Sequence, residues 1–184
     1  MKANWFAAFP IDAGTWYAPL TATCPDTCRP FAPSDLHLTL AFFGHLTEAA
    51  VEAVQKHLSQ LSIPAMGFQF DHVVLLPQAT RFSAMCLGLG RGGATVAAQM
   101  ETHRDALLAT AGLPPENRAA LPHVTFARPI RKFKQQAQQD GADWSRALVV
   151  PDKEIQVKEL ALYTWSADRQ KTKFRIVARF PLQE

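Results

Sequence analysis

Two histidines in this chain each precede a threonine by two residues, in His37-Leu38-Thr39 and in His123-Val124-Thr125. Two imidazoles with ordinary pKa values of about 6.5 can stand one neutral and one protonated at neutral pH. That is what paired general-base and general-acid catalysis requires. The neutral ring takes a proton from water or an alcohol, and the charged ring gives one to a leaving oxygen. A threonine hydroxyl two residues along can donate to a phosphoryl oxygen. A phosphodiester suits such a pair, because one oxygen enters as another leaves on the opposite side. Neither step calls for a metal or an organic cofactor, and none is expected.

Strands would have to position these side chains. In Leu36-His-Leu-Thr-Leu-Ala-Phe-Phe-Gly44 polar and apolar residues alternate, and side chains on a strand point to opposite faces with a period of two. Leu38, Leu40 and Phe42 are expected on one face, the core, with His37, Thr39 and Ala41 on the other. The device returns in Leu121-Pro-His-Val-Thr-Phe-Ala-Arg128. Six histidines and thirteen threonines would give about 0.4 such triplets by composition alone, so number is weak evidence. Either motif in isolation reads best as a core histidine bonded to a neighbouring hydroxyl. Their placement argues for a pair: strand, helix and His-x-Thr strand occur in that order at 5–43 and again at 82–127. The expected class is α+β, a single domain over 1–184 with two pseudo-symmetric lobes. Each lobe is a mostly antiparallel sheet with helices outside, and the two enclose a central cleft.

Composition restricts the alternatives. With 48% apolar and 19% charged residues in 184, the chain can bury a full core. It has no apolar run long enough to span a membrane and no leader-like start, which predicts a cytoplasmic protein without a membrane partner. Three cysteines, Cys24, Cys28 and Cys86, do not make a disulfide framework and are read as reduced thiols. The net charge of +3 is unevenly spread. Residues 1–100 carry five basic and six acidic groups, whereas residues 101–184 carry fourteen and ten. Arg128, Arg131, Lys132 and Lys134 crowd one segment, and Arg169, Lys171, Lys173, Arg175 and Arg179 another. Such clusters are either solvated faces or a site for an anionic ligand such as nucleic acid.

Taken in order, Trp5–Phe9 reads as a buried strand, followed by a helix over about 13–22 with Asp12 as its cap. Pro25, Pro30 and Pro33 mark a loop before the first motif. Thr47 caps a helix carrying Val51, Val54, Leu58 and Leu61, which Pro64 ends. Strands are expected over 68–76 and 82–89, then a helix with Val96, Met100, Leu107 and Leu108 that Gly112 stops. After the second motif come a polar, Gln-rich connection at 135–140 and two strands at 155–164 and 174–181. His45, His57, His72 and His103 lack metal-ligand spacing and are read as surface or packing residues. Tyr163 is read as core. Gly88, Gly90, Gly92 and Gly93 lack the Gly-Lys-Ser/Thr of a P-loop.

The two motifs, with Asp35 before the first and Arg128 after the second, resemble the paired motifs of the 2H phosphoesterase superfamily. The chain is most similar to the bacterial RNA 2′,3′-cyclic phosphodiesterases, also called 2′-5′ RNA ligases. The likeness extends to Trp5–Phe9, to Arg29-Pro30-Phe31 and to Leu160–Tyr163 with Arg179–Leu182. The resemblance implies hydrolysis of 2′,3′-cyclic phosphates on RNA ends or small nucleotides to 2′-phosphomonoesters, and reversible 2′-5′ ligation in the same site; a monomer is expected. It makes His37 the proton donor to the departing 3′ oxygen and His123 the base that activates water. Thr39, Thr125 and Arg128 become phosphate ligands. Phe42 matches an aromatic of the family, although alternation sends it towards the core. Ala41 stands where some relatives carry Arg. The competing expectation, from the basic second half, is an RNA- or nucleotide-binding module that keeps the cleft without the catalysis.

Overall fold

A computed structural model describes residues 3–183. Its strands, all paired antiparallel, follow the order β7-β4-β5-β6-β3-β1-β8-β9, with β2 added to β6. The first half of this path holds β4 (Met66–Gln78), β5 (Arg81–Leu89), β6 (His123–Pro129), β7 (Glu154–Val157) and the short β2 (Cys28–Pro30). The other half holds β1 (Trp5–Pro10), β3 (His37–Gly44), β8 (Glu159–Trp165) and β9 (Phe174–Pro181). The halves meet at β3 and β6, in register at a single pair, Leu38 with Val124. This is the bilobal α+β arrangement expected from the repeat. β1 pairs with β3 as β5 pairs with β6, so the order β5-β6-β3-β1 reads alike from either end.

The helices cover one face. α2 (Glu48–Gln60) starts where Thr47 accepts from the Ala50 amide at 3.2 Å, the expected cap, and buries Val54 and Leu58. α3 (Gly93–Thr110) buries Val96, Met100, Leu107 and Leu108, at helical spacing. It stops at Gly112, whose φ of +71° is a left-handed conformation that glycine adopts at no steric cost. The principal core unites these helical faces with Phe9, Leu38, Leu40, Phe68, Leu87 and Phe126.

Four local readings differ from the structure. α1 is only Tyr17–Thr21, because Asp12 accepts from the Gly14 amide two residues on and makes a turn there, not a cap. The Gln-rich connection is α4 (Lys134–Ala147), an amphipathic helix that buries Ala137, Gly141 and Trp144 in the core. The strand expected over 155–164 is two, β7 and β8, broken at Lys158 and paired with different partners. The Pro-rich loop contains β2, whose Arg29 stands opposite Arg128.

Candidate active site

The two motif strands carry their side chains by the same device. In β3, Ala8 of β1 faces Thr39 while Ala7 faces Ala41, so Leu40 is an extra residue, a β-bulge. In β6, Cys86 faces Thr125 while Met85 faces Ala127, so Phe126 is the extra residue. Each bulge follows its motif threonine directly. It buries two successive residues, Leu40 and Ala41 or Phe126 and Ala127, and shifts the phase of what comes next. His37, Thr39 and Phe42 therefore share a face of β3, and His123, Thr125 and Arg128 share a face of β6. Phe42 is 57% exposed, which corrects its placement in the core. Simple alternation fails here because the strand contains one residue too many.

Both imidazoles are oriented alike. His37 Nδ1 lies 2.6 Å from the carbonyl oxygen of Asp35, and His123 Nδ1 lies 2.7 Å from that of Leu121. A carbonyl only accepts, so each Nδ1 carries the hydrogen, and Nε2 is the nitrogen left for chemistry. One backbone bond thus fixes both tautomer and ring orientation in each motif.

The surroundings then separate the two. His37 is half-buried among aromatic rings: Phe6 at 4.8 Å between centroids, Phe174 edge-on at 5.3 Å and Tyr163 at 5.5 Å. Phe6, Ala8, Ala161 and Tyr163 form a second, smaller apolar cluster on this face. Tyr163 is therefore core, as expected, but its ring also helps to enclose His37. Burial depresses the His37 pKa to about 4. The bond to Asp35 opposes the drop, whereas the positive fields of Arg128 and His123 add to it. At that value His37 is neutral at neutral pH.

Support behind the rings differs too. The Asp35 carboxylate is 1% exposed and accepts from the Lys173 and Phe174 amides at 2.7 and 3.0 Å. It ties the start of β9, and with it the Phe174 ring, to the backbone that orients His37. At the matching place before the second motif stands Leu121, 52% exposed. Thr125 Oγ1 lies 3.3 Å from Cys86 Sγ, whose pKa is pushed up by burial to about 11. A thiol that keeps its proton can donate to Thr125, which leaves the threonine hydrogen for another acceptor. Across from Thr39 stands only Ala8.

The register adds a residue that sequence reasoning placed elsewhere. His72 pairs with Gly88, and Gly88 with His123, so all three share the site face. The His72 ring lies over Gly88, where an added Cβ would fall 2.4 Å from its Cε1. The third histidine reaches this face only because position 88 lacks a side chain. The lone clue in the sequence was a glycine within a strand. His45, His57 and His103 are not among the residues gathered here, and His57 bonds Thr110 between helices α2 and α3.

Five residues named from sequence thus stand on one face of two adjacent strands: two imidazoles, two hydroxyls and a guanidinium. Such a set can hold an anionic phosphoryl group and move protons at two of its oxygens.

Residues 13–82, which include the first motif, match the model of the LigT like Phosphoesterase family. The structure superposes on that of LigT from E. coli complexed with 3′-AMP, with a TM-score of 0.74 and 22% identity over 100% of both chains. The fold is the LigT fold. With the NADP+ complex of the same protein the TM-score is 0.73, at 22% identity over 100% of this chain and 99% of the other. Usb1 from Kluyveromyces marxianus is more distant, with a TM-score of 0.53 and 14% identity over 98% of this chain and 97% of its own. No curated protein matches the chain in sequence. The resemblance drawn from the two motifs is borne out for the family model and for the LigT fold. No helix among the described residues is long and apolar enough to cross a membrane.

Proposed function

We propose that this protein hydrolyses 2′,3′-cyclic phosphates at RNA ends or on small nucleotides, leaving a 2′-phosphomonoester. The observation that carries the reading is the matched pair of imidazoles, each held by a carbonyl two residues upstream so that Nε2 is available. In the proposed reaction His123 Nε2 takes a proton from water as its oxygen attacks phosphorus. The bond from phosphorus to the 3′ oxygen breaks, and protonated His37 gives its Nε2 proton to that oxygen. Thr39, Thr125 and Arg128 hold the remaining phosphoryl oxygens.

Burial alone disfavours a charged His37. The negative charge of a phosphate in contact with it reverses that preference, since an opposite charge within a few ångströms favours the protonated form. The acid is therefore armed by its substrate. The protons that accompany bond making and breaking at phosphorus move among these groups, so the scheme is routed through no metal. With a ribose 5′-hydroxyl in place of water as the nucleophile, the same groups would join a 2′-5′ linkage as the 3′ oxygen leaves, and the reverse step would regenerate the cyclic phosphate, with water favouring hydrolysis. The reading includes a cytoplasmic monomer that works as one bilobal domain.

The test is direct. An oligonucleotide ending in a 2′,3′-cyclic phosphate is incubated with the protein in excess chelator, and the product end is identified. A 2′-phosphate at an undiminished rate supports the reading. Salt-dependent binding with no product would instead leave a binding module.

A further inference from the structure

Beside His37 lies a second group of cations, of which only Arg128 has a use in this reaction. A cavity of about 270 Å³ is lined by Arg29, Phe31, Arg128, Arg169, Lys173 and Phe174, among others. The four basic residues come from β2, β6 and the turn before β9. Arg29 and Arg128 stand directly opposite each other across β2 and β6, an arrangement that is destabilising for like charges. Arg128 lies over the Phe31 ring, 5.3 Å from its centroid.

The turn before β9 adds Arg169 and Lys173. Arg169 stacks on Trp165 at 4.0 Å, and its buried Nε has no hydrogen-bond partner. Lys173 Nζ reaches the Arg169 carbonyl at 3.1 Å, and an Arg29 nitrogen bonds the Gln170 carbonyl. Backbone bonds thus bring these cations together without neutralising their charges. None of the four makes an ion pair among the described residues. Two carboxylates of the neighbouring segments are committed, Asp35 to two backbone amides and Asp168 to Lys171 at 3.7 Å. Burial first, and then Arg29 and Arg169, lower the Lys173 pKa against a smaller opposing pull from Asp35, as expected for an ammonium held mainly among like charges.

Four converging cations with no ion-pair partner among the described residues form a receptor for an anion. Two features tie it to the reaction centre. Phe174 lines the cavity and packs edge-on against His37, and Arg128 belongs to both groups. We propose that Arg29, Arg169 and Lys173, with Arg128 shared, bind a second phosphate of the substrate, the phosphodiester that precedes the cyclic phosphate along the RNA strand. The inference rests on the proposed hydrolysis and narrows it, since oligonucleotides become the preferred substrate over single cyclic nucleotides.

Two dinucleotides ending in a 2′,3′-cyclic phosphate isolate this contact. One carries a natural phosphodiester linkage, and the other a neutral methylphosphonate linkage. The expected result is a kcat/KM at least tenfold higher for the charged linkage. In the Arg29→Gln/Arg169→Gln/Lys173→Gln variant that ratio falls to near one. The salt dependence of log KM also becomes shallower by about 0.7, the value for one single-strand phosphate contact. Glutamine at 173 keeps the backbone amide that bonds Asp35, and the single variants Arg29→Gln and Lys173→Gln serve if the triple variant does not fold. A ratio near one in the unaltered protein would overturn the proposal, as would an equal fall on both dinucleotides in the variants. If neither dinucleotide is hydrolysed, the catalytic reading fails separately. Calorimetric binding of the two linkages carrying a 3′-phosphate then decides the subsite by the same tenfold criterion.

Discussion

The strands β3 and β6 are built to one plan and sit in two environments. Each presents His, Thr and then the fifth residue after His on the site face, with a bulge directly behind the threonine. Each holds its imidazole by the carbonyl two residues upstream. The plan fixes where the groups point. What they do is set by the neighbours, which are three aromatic rings and a buried carboxylate at His37 and an exposed leucine at His123. Two motifs of one plan thus stand in different surroundings, and in the proposed reaction they take opposite halves of one proton transfer.

The largest effect should come from removing either ring. His37→Ala and His123→Ala are each expected to lower kcat for a 2′,3′-cyclic phosphate by about 10²–10⁴-fold, the usual contribution of a positioned acid or base. The double variant should be no worse than about the poorer single one, because the pair acts as a unit. Additive losses would break the pairing and leave two independent contacts.

Asp35 and Leu121 occupy matching places and should differ sharply in stability. Asp35→Ala leaves the Lys173 and Phe174 amides without their acceptor in a dry site, at a cost of about 2–5 kcal/mol by urea denaturation. Leu121→Ala, at an exposed position, should stay within about 0.5 kcal/mol. Equal effects would mean that the carboxylate does not brace the first motif.

The acid behaviour of His37 gives a third test. Its pKa is about 4 in the folded chain and about 6.5 when unfolded. Between those values the unfolded state binds more protons, so stability rises with pH across that window and is flat above it. The difference amounts to up to about 3 kcal/mol lost between pH 6.5 and 4. His37→Asn should flatten that slope. By nuclear magnetic resonance, inorganic phosphate should raise the His37 titration midpoint, and no change would remove the argument that the substrate arms the acid.

Much of this plan was legible in the chain. The motif pair, the repeat and the core faces of α2 and α3 follow from spacing, because period and composition agree there. Phe42 was not legible, since a bulge is set by the pairing of Ala7 and Ala8 and leaves no mark on β3 itself. His72 reaches the site through Gly88, a contact across strands that local reading cannot see. In α4 the signal was present, with Ala137, Gly141 and Trp144 at helical spacing, but glutamines hid it. Arg29 joins Arg128 only through β2, a three-residue strand inside a proline-rich stretch.

The position after each bulge gives the smallest and sharpest test of the comparison. Symmetry places Phe42 where β6 has Arg128, so the one plan delivers an apolar ring to one side of the site and a charge to the other. An exposed ring on a face that gathers the proposed phosphate ligands offers a platform for a base, whose stacking is worth about 1–3 kcal/mol and tolerates any sequence. Phe42→Ala should therefore raise KM for a cyclic nucleotide by about 5–150-fold on that scale while kcat changes little, with the lower end expected for a ring open to solvent. Phe42→Tyr, which keeps the platform, should restore KM, and neither variant should shift the melting temperature, because the ring is 57% exposed. Arg128→Gln should behave differently, lowering kcat as well, because a guanidinium on the phosphate strengthens its hold as charge develops in the transition state. If both substitutions changed only KM, the two sides of the site would be equivalent, and the asymmetry between β3 and β6 would reside in the histidines alone.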